Sequence, residues 1–269
     1  MKHFFAALQF LTILPVRIKT QVTERDLGRA LAYFPIAGSI IGFCLALVSL
    51  IFGFLSREIS IVMVLIASAV LTGAIHLDGF ADVCDGFFGA KDKEKVLNIM
   101  RDSRIGAFGV IGLVCLFLLK FVLLLKIPQN MLAGSLIVMV MFARWIQVFA
   151  CFNFDYARNQ GKAKGFMAGA GKKGLTIAAG FLIIAALGLM GVKGIVILGF
   201  SSLPAIFFMF YAKKRIGGMT GDTIGASSEI AEVSFLLFFI VWLKLHGIFC
   251  LSCRGQTCLS PNFLKSIFK

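Results

Sequence analysis

The chain has 269 residues, of which 59% are hydrophobic and only 15% charged, with a mean hydropathy of +0.94. Soluble globular domains carry about a quarter charged residues, so this composition excludes that class and marks a polytopic membrane protein. The formal net charge of +14 does not point to nucleic acid, because the basic residues sit in short loops between apolar runs, where retention of Lys and Arg in the cytoplasm explains them.

The opening run, MKHFFAALQFLTILPV, lacks a small-residue cleavage site and is followed by Arg17 and Lys19. It reads as a retained, short interfacial or re-entrant helix rather than a signal peptide. A basic stretch over 17–29 leads to a first span at about 30–54, long enough for a hydrocarbon core of about 30 Å. Gly38 and Gly42 lie four apart in it and form a small-xxx-small face for close helix contact. Arg57 and Glu58 mark a tight turn, and a second span covers about 59–76. Further spans are expected at about 105–126, 131–152, 174–192, 194–212 and 229–245. Cys44, Cys84, Cys115 and Cys151, in or beside apolar segments, read as plain buried thiols with no disulfide framework.

Loops rich in Lys and Arg (17–29, 77–104, 153–173, 213–215) alternate with poor ones around Arg57, Lys126 and Lys193. The alternation places the rich loops and the N-terminus in the cytoplasm. Seven spans then put the tail outside although it carries Arg254, Lys265 and Lys269. Either the last run does not cross, or the tail breaks the rule. The expected fold is thus an all-α, polytopic membrane bundle of about seven spans plus the N-terminal helix. One catalytic domain covers 1–245, since no polar linker separates two units, and 246–269 form an atypical tail.

The stretch TGAIHLDGFADVCDGFFG, 72–89, holds Asp78, Asp82 and Asp85 at i, i+4, i+7, which share one helix face. They stand among Phe80, Ala81, Val83, Phe87 and Phe88, not among lysines, and ionisable residues at the edge of an apolar span are costly and usually functional. Mutually repelling carboxylates are joined by a hard cation such as Mg²⁺, which shares oxygen ligands with substrate phosphates. His76, just before them, reads equally as a ligand or as a packing or hydrogen-bonding residue.

Four further elements carry polar chemistry. In NIMRDSRIGAFG, 98–109, Asp102 either caps the next helix or joins the site as ligand or base, with Arg104 on a phosphate. Arg144, inside an apolar run, requires a carboxylate, a carbonyl or a ligand phosphate, whereas Arg158 is a binding residue or a topological charge. In GGMTGDTIGASSEIAE, 217–232, the glycines, Thr220, Thr223 and Asp222 suit a loop wrapping a polar ligand through backbone N–H groups, with Glu229 and Glu232 entering the last span. The spacing of His246, Cys250, Cys253 and Cys258 imitates a zinc site, but a disulfide or free thiols serve it as well.

With these segments assembled, the chain resembles the cobalamin synthase family (adenosylcobinamide-GDP ribazoletransferase) from about Phe10 to Leu243. The resemblance is carried by FLTILP, FPIAGSIIG, HLDGFADVCDGFFG, IMRDSRIGAFG, YAR followed by glycine, and GGMTGDTIGA with Glu229. It implies a Mg²⁺-dependent enzyme of the bacterial inner membrane, its site facing the cytoplasm. Such an enzyme joins α-ribazole or its phosphate to adenosylcobinamide-GDP, releases GMP and forms adenosylcobalamin or its phosphate. Asp78, Asp82 and Asp85 stand where the family's metal-binding aspartates stand, and Asp102, Arg104 and Asp222 coincide with its motif residues. The expected substrate-binding set is then His76, Arg104, Arg144, Arg158, Asp222 and Glu229. Asp82, Asp85 and Asp102 are the expected catalytic carboxylates, with Asp85 or Asp102 taking the proton of the attacking hydroxyl. Implied partners are the two substrates and membrane lipid, not nucleic acid, and a homo-oligomer stays open. Ile13, Cys84 and the tail after Leu245 depart from the family pattern.

Two rivals remain. D-G-x-A-D is also similar to the motif of CDP-alcohol phosphotransferases, but Asp82 follows Ala81 directly where those enzymes carry an arginine. A cation transporter would use intramembrane acids near the midplane of two related halves, and no internal repeat is found here.

Overall fold

The computed structural model describes residues 1–16, 21–158, 160–161 and 163–247. Residues 248–269, with Cys250, Cys253 and Cys258, lie outside the described part, as do Arg17, Lys19 and Lys162. The described residues form an all-α bundle: α1 (Lys2–Leu11), α2 (Glu24–Ala30), a 3₁₀ turn (Leu31–Tyr33), α3 (Phe34–Ile51), α4 (Arg57–Leu71), α5 (Ile75–Gly89), α6 (Lys93–Ile99), α7 (Ala107–Lys126), α8 (Gln129–Asn153), α9 (Lys164–Ala168), α10 (Lys172–Met190), α11 (Val192–Ile216) and α12 (Gly221–Leu245). The short Tyr156–Met219 pairing is an isolated bridge.

Among the described residues, six helices are long and apolar enough to cross a membrane, and a seventh crossing results if the bent pair α4–α5 counts as one. The chain is therefore a multi-pass membrane protein. Two helices are interior: 78% of the apolar stretch of α8 and 72% of that of α12 is buried, against 22% for α10, 28% for α7 and 33% for α11. The outer helices present Ile111, Leu118, Ile184, Phe200 and Phe207 to the surroundings, as lipid contact requires, since lipid tails impose no penalty on exposed apolar side chains.

The small-residue face of α3 does what its spacing predicts. A Cβ on Gly38 would lie 2.9 Å from Arg144 Cγ, and one on Gly42 would lie 2.6 Å from Ile137 Cα. Helices α3 and α8 thus meet backbone to backbone, and glycine is what permits the approach. Of the four cysteines expected as buried thiols, Cys84 and Cys151 are buried, whereas Cys44 is intermediate and Cys115 is exposed on the outer helix α7. The expectation of four buried thiols therefore holds for two, because an outer helix buries only one side.

Two boundaries differ from the sequence expectation, and both bear on the site. The second span does not continue to residue 76. It ends at Leu71, and α5 leaves at 89° to α4. The chain turns through Gly73 and Ala74, at φ of 59° and 55°. Glycine adopts this left-handed backbone freely and alanine does so at a cost. The region 217–228 is not a wrapping loop. Gly217, at φ 83°, ends α11, and α12 already begins at Gly221. Thr220 and Thr223 form a capping box, so the threonines satisfy helix N–H groups rather than a ligand.

Candidate active site

Helix α5 is fixed at both ends. Its entry follows the turn at Gly73 and Ala74, where Ile13 N–H donates to Leu71 O at 2.9 Å and ties the end of α1's following segment to the end of α4. At its far end Arg215 donates to the carbonyls of Phe87, at 3.2 Å, and Ala90. These carbonyls have no intrahelical partner, and a guanidinium is suited to them in charge and geometry.

Between these ends, α5 packs on the N-terminal half of α12 through two glycines. A Cβ on Gly79 would meet Asp222 Cα at 2.8 Å, and a Cβ on Gly225 would meet His76 Cα at 3.2 Å. The close approach sets Asp222, in the first turn of α12, beside the stretch bearing Asp78 and Asp82. Asp78 is exposed and Asp82 partly buried. Asp82 has Asp78, Asp222 and Asp85 as like-charged neighbours and Arg158 as the opposing charge. Among the described residues, no hydrogen bond or ion pair holds the carboxylate of Asp78 or Asp82.

Arg158 reaches this place because the segment before it is pinned to the start of α12. Ala157 N–H donates to Met219 O and Met219 N–H to Asp155 O, each at 2.8 Å. Arg158 Nη1 then lies 2.8 Å from Asp222 Oδ2, and its Nη2 donates to Met100 O at 3.4 Å.

A cavity of about 290 Å³ opens here. Its polar wall contains Asp78, Asp222, Arg158 and Tyr156, and its apolar wall Phe10, Phe34 and Phe166, with His76 and Gln147 also bordering it. Gln147 Nε2 donates to His76 Nδ1 at 3.2 Å. His76, 4% exposed, is thus the hydrogen-bonding residue among the expected alternatives, held by a buried amide and bordering the cavity.

The structure separates the remaining predicted residues from this centre. Asp85 turns to the start of α7: its Oδ2 accepts from Gly106 N–H at 2.7 Å and its Oδ1 from Gly109 N–H at 2.8 Å. Both oxygens satisfy donors that a helix N-terminus leaves unpaired, and the macrodipole favours the charge there. Asp102, expected as ligand, base or cap, and Arg104, expected on a phosphate, instead pair with each other at 2.7 Å in the exposed segment before α7, with 87% of the arginine side chain accessible. Hydrogen bonds from Arg104 hold the Asp102 carboxyl down at about 2, which makes it a poor proton acceptor in this arrangement. Arg144 and Glu229 do not border the cavity either. Lys120 lies between Glu229, at 2.5 Å, and Glu232, at 2.6 Å. Arg144, 1% exposed, donates to Ser228 Oγ at 3.5 Å and feels both glutamates. The burial of Arg144 required a partner, and its partners lie in this internal cluster.

Sequence reasoning passed over Lys120 and Gln147. Both are polar residues inside apolar spans, which is itself the signal.

Among the described residues, no three His, Cys, Asp or Glu side chains stand together as a metal cage. The i, i+4, i+7 set is divided because Asp85 is taken by α7. Asp78, in the cavity wall, and Asp82, near it, still fit a hard cation held jointly with a substrate: Mg²⁺ retains waters and commonly takes one or two carboxylates plus phosphate oxygens, and neither carboxylate has a hydrogen bond or ion pair among the described residues.

Comparisons with known proteins show the family. The model of the family described as cobalamin-5-phosphate synthase matches residues 3–240. Relatives named adenosylcobinamide-GDP ribazoletransferase include one from Thermoanaerobacter pseudethanolicus, 38% identical over 89% of this chain and 97% of its own. One from Chlorobium phaeobacteroides is 37% identical over 94% and 100%, and one from Fusobacterium nucleatum is 33% identical over 90% and 98%. No solved structure matches the chain. The chain belongs to the cobalamin-5-phosphate synthase family.

Proposed function

We propose that the protein joins adenosylcobinamide-GDP to α-ribazole or its phosphate at the cytoplasmic face of the bacterial inner membrane, with Mg²⁺ and with release of GMP. The observation that carries the reading is the meeting of Asp78, Asp82, Asp222 and Arg158 around the Gly79–Asp222 contact, with Asp78, Asp222 and Arg158 in the wall of a cavity. The names of the relatives supply the substrates.

The reaction is a displacement at phosphorus. A ribose hydroxyl oxygen bonds to the phosphorus carried by the corrinoid, the bond from that phosphorus to the bridging oxygen breaks, and GMP departs with the electron pair. Such transfers need alignment and charge neutralisation more than covalent help. Asp78 and Asp82 would hold Mg²⁺, with Asp222 next to them. When bound, the ion supplies positive charge against the diphosphate oxygens. Arg158 holds Asp222 in place and presents its guanidinium to the same cavity. Asp82 replaces Asp85 and Asp102 as the acceptor of the hydroxyl proton, because those two are held by Gly106, Gly109 and Arg104. Lys91, Lys93, Lys95 and Arg101 follow α5, and Lys213, Lys214 and Arg215 end α11, so the basic loops lie on the side of the site, which the positive-inside rule assigns to the cytoplasm.

The test is an assay of purified membranes with adenosylcobinamide-GDP and α-ribazole phosphate, with and without Mg²⁺. Stoichiometric GMP and cobalamin phosphate are expected only with the ion. Turnover that persists unchanged in excess chelator would remove the metal, and failure to consume either substrate would remove the reaction.

A further inference from the structure

The proposed displacement leaves one group in the cavity wall without a task. Gln147 is 2% exposed and borders the cavity, yet its Oε1 is buried with no hydrogen-bond partner, while its Nε2 is spent on His76. Buried polar atoms in native proteins are nearly always satisfied, and an orphan calls for an unseen partner. Rotation of the amide exchanges its oxygen and nitrogen. In either sense one hydrogen-bonding atom is left over, and the cavity is there to receive its partner.

The surroundings limit what that partner is. Phe10, Phe34 and Phe166, from α1, α3 and α9, form an aromatic wall, with ring centroids 4.5, 5.5 and 6.1 Å apart. Aromatic walls favour flat, π-bearing ligands. At about 290 Å³ the space is at the small end of ligand pockets, roughly 300–1,000 Å³. It takes a bicyclic heterocycle and excludes a corrin macrocycle. Arg158, Asp78 and Asp222 stand at the same cavity, where a phosphorylated sugar attached to the heterocycle would lie.

We infer that this cavity seats the aromatic base of a nucleoside, with Gln147 as the residue that reads the edge of the base and the aromatic wall as its stacking surface. Amide oxygen pairs with a ring N–H, and the rotated amide pairs its nitrogen with a ring nitrogen lone pair. The identity of the nucleoside rests on the transferase reading, which offers two: α-ribazole and the guanosine of the GDP group.

Equilibrium dialysis of the full-length protein in detergent against α-ribazole, and separately against GMP, tests the inference without turnover. In Gln147→Met, which keeps length and removes the hydrogen bond, one of the two nucleosides is expected to lose about tenfold in affinity, the other to be unchanged. The affected one names the occupant. In turnover, KM for that substrate alone rises. If Gln147→Met does not accumulate, Phe166→Leu carries the test, with the same selective loss expected from the missing stacking surface. Unchanged binding of both nucleosides in an accumulating variant overturns the inference and assigns the orphan atom to water. Selective loss of binding in a protein that shows no transfer keeps the cavity assignment and discards the reaction instead.

Discussion

A methyl group on Gly79 would meet Asp222 Cα at 2.8 Å. This contact sets how far the acidic stretch of α5 stands from the first turn of α12, and backbone cannot yield as a flexible side chain does. Gly79→Ala is therefore expected to push the helices apart, at a cost of about 1–3 kcal/mol from overpacking, and to lower transfer far more than stability alone accounts for, because a displacement of about 1 Å in a reacting constellation costs about a hundredfold. Turnover and a thermal melt of the same preparation check it. Wild-type turnover in Gly79→Ala would mean that the contact does not position the site.

Asp82→Asn is expected to abolish transfer and to weaken Mg²⁺ binding while the protein inserts and melts as the wild type does. The side chain has like-charged neighbours and no hydrogen bond among the described residues to lose. Isothermal titration with Mg²⁺ beside a melting curve separates the two effects. A melting temperature that falls sharply would return Asp82 to a structural role.

Asp85 behaves differently although it lies on the same helix. Its oxygens receive the N–H groups of Gly106 and Gly109, so Asp85→Ala removes a helix cap, with an expected loss of about 0.5–2 kcal/mol. Its signature is a lowered melting temperature, with residual activity whose Mg²⁺ requirement is that of the wild type. A changed Mg²⁺ requirement in folded Asp85→Ala would put the residue back among the metal's ligands.

This contrast shows what the sequence makes legible. That Asp78 and Asp82 lie on one helix is legible from local spacing, because a single helix fixes their relation. The fate of Asp85 depends on Gly106, 21 residues on, and no periodicity announces a side chain capping a different helix. The same limit hid the partners of Arg144: its burial was foreseen, but Glu229 and Glu232 are recruited by Lys120, more than a hundred residues earlier, whose charge is masked within an apolar run. The bend before α5 was missed because Ala74 takes a left-handed backbone, at φ 55°, that alanine rarely adopts. Around Asp222, Thr220 and Thr223 join the glycines in suggesting a wrapping loop, whereas T-x-x-T is a helix cap.

Arg104, expected on a phosphate, and Arg158, expected as a binding residue or a topological charge, differ in their settings. Arg158 is 10% exposed and bound to Asp222, whereas Arg104 is 87% exposed and bound to Asp102. Arg158→Ala leaves Asp222 without its counter-ion and removes a cation from the cavity, and a drop in kcat/KM of at least a hundredfold is expected, on the scale of a lost buried charge pair. Arg104→Ala, which breaks an exposed pair of little energetic weight, is expected to stay within about threefold of wild type. Steady-state kinetics on both variants decide it; the reverse ranking would relocate the phosphate to the exposed segment before α7.

The internal cluster of Lys120, Arg144, Glu229 and Glu232 has two positive and two negative members, all buried. Its geometry ties α7 and α8 to α12, and none of the four side chains borders the cavity. Lys120→Met takes away one positive charge and leaves two buried glutamates facing a single buried arginine. Breaking a buried pair from one side costs about 3–5 kcal/mol, so a large fall in melting temperature and poor accumulation are expected. Adding Glu229→Gln restores neutrality and should recover most of the loss, whereas adding a substitution outside the cluster should not. If the cluster binds substrate instead, Lys120→Met will melt like the wild type and raise KM, and the double variant will be worse than the single one; these opposite orders in one melting and kinetic series distinguish an internal tie from a binding site.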